Sequence, residues 1–302
     1  MPPLARRNAT TKPAPQTAPP KTTTQPTAGL LKPRKIDPAA MQAAFAQSAA
    51  GAGAKNNYMK FDVGATKLRI VHLLDGDLPF VKVREHGYTM GGKLRRALDF
   101  DTVLRDDETR ARLLESGKLK STDYEKYLAY GDPFNQFMRA YKDAGLPQLP
   151  KGRWPMTKYL WHAVDRRTGE LVVYESGQKF FEFVQTAMYG GEGIEAEFPT
   201  LLDPEEGFDI TVKATGQKLT RRYEYEVGRK EVASRVEIAD TAKVPDLVAI
   251  HDSRMVGYDE KVKALFANEG KNCALLGITP DTFGCGHLNI STLEVGQDTD
   301  SD

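Results

Sequence analysis

The chain has 302 residues, 40% of them hydrophobic, enough to bury a core in one large domain or two small ones. Its two cysteines, Cys273 and Cys285, argue against a disulfide-dense secreted scaffold, and no run approaches the roughly 20 apolar residues that span a bilayer or the apolar stretch of a signal peptide. The net charge of +1 conceals an asymmetry: residues 1–37 carry seven Lys or Arg against Asp37 alone, whereas residues 237–302 carry five basic and twelve acidic side chains. A soluble intracellular protein with no membrane partner is expected, with electrostatic attraction to phosphate at one end and to basic partners at the other.

Residues 1–57 form a basic, Pro- and Thr-rich arm with too little apolar surface to offset chain ordering, so disorder is expected there. Asp37-Pro38 opens one short Ala-rich helix to Ala50, with Asp as the cap and Pro at the first helical position. From Tyr58 the pattern becomes strand-like. Lys67–Leu74 and Phe80–Tyr88 flank the turn signal Asp75-Gly76-Asp77, and Gly91-Gly92 precedes Leu94–Phe100, which together predict a three-stranded meander.

Residues 101–150 switch to helical periodicity at Asp106–Leu114 and Tyr124–Ala144, and read as a helical insertion. Strands resume at Lys158–Asp165 and Glu170–Glu175. Gly177–Met188 reads as an amphipathic helix with Phe180, Phe181 and Val184 on its apolar side. Phe208–Val227 is a hairpin. Alternation places Arg221, Tyr223, Tyr225 and Val227 on one strand face and Arg222, Glu224 and Glu226 on the other. A further helix is expected at Asp259–Ala267 within the acidic C-terminal region, 237–302. Short strands, a helical insertion and one crossing helix predict a mainly β fold with an oligonucleotide-binding (OB) core over residues 58–236.

Catalytic signatures are missing. Gly190-Gly191-Glu192-Gly193 and Gly91-Gly92-Lys93 lack the spacing and hydroxyl residue of a phosphate loop, and Asp106-Asp107-Glu108 suits a helix start. Cys273, Cys285 and His287 supply three ligands at irregular spacing where structural zinc takes four, so buried thiols and a surface histidine account for them, and no cofactor is expected. What stands out is cationic and aromatic side chains interleaved on strands, the combination that attracts phosphates and stacks unpaired bases. Lys67, Arg69, Lys82, Arg84, Arg95 and Arg96 decorate the first strands. Lys151, Arg153, Trp154, Lys158, Tyr159 and Trp161 crowd the return from the insertion. Tyr174 and Lys179 flank the next strand-to-helix turn, and the hairpin adds Lys213, Arg221, Arg222 and Tyr223. Residues 58–236 sum to only +1, so any basic groove must come from local arrangement.

In order along the chain, Lys67-Leu-Arg-Ile-Val-His-Leu-Leu, Pro79-Phe80 and Glu85-His86-Gly87-Tyr88 resemble the first strands of the T-even-type bacteriophage single-stranded DNA-binding proteins. Tyr159-Leu-Trp-His-Ala-Val-Asp165, the strand ending at Tyr174, Gly177-Gln-Lys-Phe180 and Gly207-Phe-Asp-Ile-Thr-Val-Lys with Arg222-Tyr223 resemble later elements of that family. The resemblance covers residues 58–236. It implies an OB core whose cleft binds single-stranded DNA through aromatic and basic side chains, with Tyr174, Tyr223 and Trp161 as the matching aromatics. It also implies cooperative self-association through the basic N-terminal arm and contacts of an acidic C-terminal tail with replication or recombination proteins.

One departure concerns zinc, which members of the family hold through a histidine matched by His86 and three cysteines, two of them in a Cys-Pro-x-Cys motif. Here Asp132-Pro133-Phe134-Asn135 stands at that motif, so zinc cannot be held that way. Phe134, Phe137 and Tyr141 are expected to form a small hydrophobic subcore instead, with His86 structural. The expected function is sequence-nonspecific coating of single-stranded DNA in phage replication, recombination and repair, in the host cytoplasm. A single-stranded RNA binder and a virion or structural interaction module without nucleic-acid affinity are the alternatives.

Overall fold

The computed structural model describes residues 58–74, 78–147, 154–191, 195–203, 206–216, 220–228 and 244–290, all within one compact unit, Ala54–Asp302. The N-terminal arm and its helix, the Asp75-Gly76-Asp77 turn, Lys151, Arg153 and the acidic tail lie outside the described residues.

Among the described residues, seven strands form a mostly antiparallel sheet: β1 (Gly64–Val71), β2 (Phe80–Met90), β3 (Lys93–Leu98), β4 (Met156–Asp165), β5 (Leu171–Ser176), β6 (Ile210–Thr215) and β7 (Arg222–Val227). Their order is β3-β2-β4-β1-β6-β7, with β5 also pairing β4. β4 organises the sheet. Along one edge, Leu68–Val71 of β1 and then Phe80–Glu85 of β2 pair with it end to end, from Asp165 back to Met156, while β5 takes the other edge. Because β1 and β2 run in the same direction along β4, they cannot pair with each other as neighbours in a meander do. The expected meander therefore reduces to the β2–β3 hairpin.

Side-chain alternation sets the face of each strand. Ile210, Val212 and Ala214 of β6 are buried and stand opposite Val227, Tyr225 and Tyr223 of β7, while Lys213 pairs with Glu226 on the outer face. The hairpin thus has the two faces that its sequence predicts.

The insertion holds four helices, α1 (Phe100–Val103), α2 (Asp107–Glu115), α3 (Ser121–Tyr130) and α4 (Pro133–Asp143). One long helix was expected where α3 and α4 stand. Gly131 takes a φ of 73°, and Asp132 caps α4 by accepting from the Phe134 N–H at 3.0 Å, with Pro133 at the first position. Phe134 and Phe137 are buried and Tyr141 packs its ring 5.7 Å from Phe137, but instead of a small separate subcore they join the large core that includes β2, β3 and the C-terminal region. After β5, helix α5 (Gln178–Tyr189) buries Phe180 and Val184 against an aromatic cluster built on β4, β5 and β6.

The C-terminal region adds α6 (Leu247–Asp252), α7 (Tyr258–Leu275) and a 3-10 turn at Pro280–Phe283. Far from lying apart, it buries Leu247, Tyr258, Val262, Leu265, Cys273, Phe283 and Cys285 in one core with β2, β3 and the insertion. Lys261 of α7 is buried, and its ammonium group donates to Leu98 O at 2.6 Å and to the Asp132 carboxylate. His86 stacks on Phe134 at 5.1 Å, with Nε2 3.8 Å from Asp132 Oδ1 and 3.9 Å from Asp99 Oδ1. Arg84 bonds the other Asp99 oxygen at 2.7 Å. His86, Asp99 and Asp132 could together offer ligands to a metal ion. Their negative charge is nevertheless met by side chains of the chain itself. Burial pushes the Asp132 carboxyl up, but the charges of Lys261 and His86 outweigh it and hold the group below its ordinary range.

Removing one partner of such a pair strands the other charge away from water. K261M should destabilise the fold by roughly 3–5 kcal/mol, and K261M/D132N, which removes the stranded charge while keeping an oxygen at the α4 cap, should recover part of that loss, both read by urea denaturation. A single variant as stable as the parent would show that the pair carries no such charge coupling.

Asp259, at the start of α7, bonds Lys126 of α3, His287 at 2.9 Å and the Cys285 thiol at 3.3 Å. Burial raises its carboxyl, but these hydrogen bonds prevail and pull it down to about 2. A carboxyl depressed from its ordinary value of about 3.9 stabilises the fold above that value and ceases to do so as pH falls toward 2. D259N should melt below wild type at pH 6 and level with it at pH 2. A gap of equal size at both pH values would contradict the linkage.

Candidate nucleic-acid interface

A cleft of about 680 Å³ opens where the chain before β1 crosses β5 and the β6–β7 hairpin. Residues 58–61 form one side. Met59 donates its N–H to Val173 O at 2.8 Å, Arg167 bonds Lys60 O at 2.9 Å, and Arg221 bonds Phe61 O at 2.9 Å. These bonds fix an otherwise irregular segment. Phe61 is thereby held edge-on to two tyrosines, with ring centroids 5.3 Å from Tyr174 and 5.8 Å from Tyr223. Behind them Tyr174 bonds Tyr225, and Phe180 packs edge-on against both, at 4.7 and 5.0 Å. Burial drives the Tyr174 hydroxyl well above its ordinary range, so it stays neutral.

Cationic side chains share the cleft: Lys60 from the segment before β1, Arg96 from β3, Lys158 from β4, Arg221 before β7, and Arg254 just after α6. Two carboxylates order them. Glu85 is 0% exposed and lies 3.2 Å from Arg96 and 2.5 Å from Arg254. Glu175, 13% exposed, bonds Arg96 and also Arg254 at 2.9 Å, with Lys158 4.0 Å away. Burial raises Glu175, but Arg96 and Arg254 overcome it and hold the carboxyl below its ordinary value. Arg254 is lowered by burial and raised by Glu85 and Glu175, and the carboxylates prevail. Glu175 and Arg254 therefore both carry their charge at neutral pH. Aromatic rings and guanidinium groups converge on one concave surface, which is suited to an anionic polymer that also carries flat rings.

The residues expected from sequence separate into sets. Lys158, Tyr174, Arg221 and Tyr223 line this cleft, and Arg96 joins them. Tyr223 is 40% exposed and presents its ring to solvent, whereas Tyr174 is buried behind Phe61 and supports the wall.

Arg69, Tyr159 and Trp161 are withdrawn from the surface by packing. Arg69 is buried, bonds Asp209 at 3.1 Å and has its guanidinium lowered by burial. Trp161 is 1% exposed and donates its indole N–H to Ser176 at 2.8 Å. Tyr159 stacks on Phe181 at 4.4 Å and donates its hydroxyl to Gln178 at 2.7 Å. Lys67, Lys82, Arg84, Arg95, Trp154, Lys179, Lys213 and Arg222 are exposed but do not line the cleft.

Sequence reasoning missed Phe61, Glu175 and Arg254. The run Tyr58-Met59-Lys60-Phe61 carries an aromatic and basic signal that could have marked the first of these. Arg254 carries no local signal, because it sits in a net-acidic region. No family model matches this chain, and no curated protein matches it in sequence.

Proposed function

We propose that this chain is a non-catalytic, sequence-nonspecific single-stranded DNA-binding protein built on an OB-type core, which coats strands exposed during phage replication, recombination and repair in the host cytoplasm. The observation that carries the reading is the meeting of Phe61 and Tyr223 with Arg96, Lys158, Arg221 and Arg254 in one cleft. Bases within a duplex already stack on one another, so an aromatic wall gains most from unpaired ones, and every base offers a π-face. These four cations and Lys60 line the same cleft as the rings, where they would attract backbone phosphates. Support for the OB-type core comes from the mostly antiparallel sheet organised around β4, with α5 packed on its aromatic core. The basic N-terminal arm would serve cooperative self-association and the acidic tail would serve replication or recombination partners, both through residues outside those described.

The reading divides the cleft into two energetic parts. Stacking is worth about 1–3 kcal/mol per base and does not depend on salt, so Y223A should weaken oligo-dT binding by roughly 5- to 150-fold at 50 and 200 mM salt alike. K158Q should instead lower the slope of log K against log salt by about 0.7, the loss of one phosphate contact. Polarisation titrations of labelled oligo-dT, oligo-U and duplex DNA provide the measurement. Preference for oligo-U would indicate an RNA binder, and binding to none of the three would favour a protein-interaction module; either result defeats the proposal.

A further inference from the structure

Two carboxylates meet the same two guanidinium groups at the floor of the cleft, but they are not equivalent. Glu85 is completely buried on β2 and does not line the cleft, whereas Glu175 lies at the end of β5 and does. Arg254 bonds both, at 2.5 Å to Glu85 and 2.9 Å to Glu175. Arg96 likewise reaches Glu85 at 3.2 Å while bonding Glu175, and its side chain is 37% exposed. Each guanidinium therefore keeps an anchor in Glu85 if Glu175 lets go. A carboxylate and a phosphodiester present the same kind of anionic oxygen acceptors to a guanidinium fork.

We infer that Glu175 is a built-in stand-in for a backbone phosphate: an incoming strand displaces it from Arg96 and Arg254, and this competition sets the affinity of the cleft. The inference rests on the single-strand reading above. Arg96, Arg254 and Lys158 supply three positive charges, and Glu85 and Glu175 remove two. A phosphate entering this group meets a net charge of one rather than two. Glu175 thus weakens binding without touching the aromatic wall, and its release on strand entry leaves the two arginines held from behind by Glu85.

The test compares wild type, E175Q and E175D in oligo-dT titrations across a salt series, with thermal melting as the check on folding. E175Q should bind roughly 3- to 10-fold tighter, and its salt slope should steepen by about 0.7, one additional counterion released. E175D, which keeps the charge but withdraws it by one methylene, should fall between the two and carries the test if E175Q does not fold. Unchanged or weaker binding by the folded variants, with the wild type still binding oligo-dT, would overturn this inference and leave the single-strand reading intact, because Glu175 would then only orient the arginines. No binding by wild type would instead remove the underlying reading.

Discussion

Glu85 is a carboxylate with no exposed surface, and burying it determines what must stand beside it. An isolated buried ion is costly by several kcal/mol, so partners are obligatory rather than decorative. They come from two distant parts of the chain. Arg96 follows on the neighbouring strand of the β2–β3 hairpin, and Arg254 arrives from the C-terminal helical region, 169 residues away. The Arg254 carbonyl also accepts the Leu98 N–H at 2.9 Å, so backbone and side chain both tie this segment to β2 and β3. The same need for charge compensation brings Lys261 to Asp132 within the core that α7 shares with the insertion. Acidic side chains buried in the first part of the chain are thus matched by cations from the last.

The cleft inherits its character from that arrangement. Arg96 and Arg254, recruited to neutralise buried carboxylates, line the cleft, each with its guanidinium on both Glu85 and Glu175. Its aromatic wall is fixed just as firmly, since Phe61 is pinned through its own carbonyl by Arg221 and Tyr174 is bonded to Tyr225. Ordering a free side chain at an interface costs about 0.5–1.5 kcal/mol, and here that ordering accompanies folding instead of binding. A neutral protein surface can in this way contain a locally cationic groove, as residues 58–236, with a net charge of +1, require.

Local physics made the elements readable, and long-range physics concealed their arrangement. The Phe208–Val227 hairpin was legible because strand alternation is strictly local, and its predicted faces agree with the buried Val212 and Ala214 and the half-exposed Tyr223. Trp161 and Tyr159 carry the same residue types as a stacking platform, yet β4 is covered by strands on both edges and by α5, so they became core. Arg69 shows the same ambiguity for charge: the distant Asp209 decides whether it faces water. The β1–β2 relation was misread because a Gly-containing turn signal between two strands ordinarily marks a reversal, whereas here a third strand, 85 residues farther on, carries both in one direction.

Placing Arg254 in the cleft also changes the meaning of the acidic C-terminal region. Its net charge of −7 over residues 237–302 suggests a segment that would repel a nucleic acid. Part of that acidity is spent internally, with Asp252 on Arg112 at 2.9 Å and Asp259 on Lys126 and His287. Net charge averages over such pairs, whereas a polyanion entering the cleft meets only the groups that line it. Among the described residues Glu175 is the acidic side chain at that lining, so the local field is decided by five cations and one accessible carboxylate rather than by the regional sum.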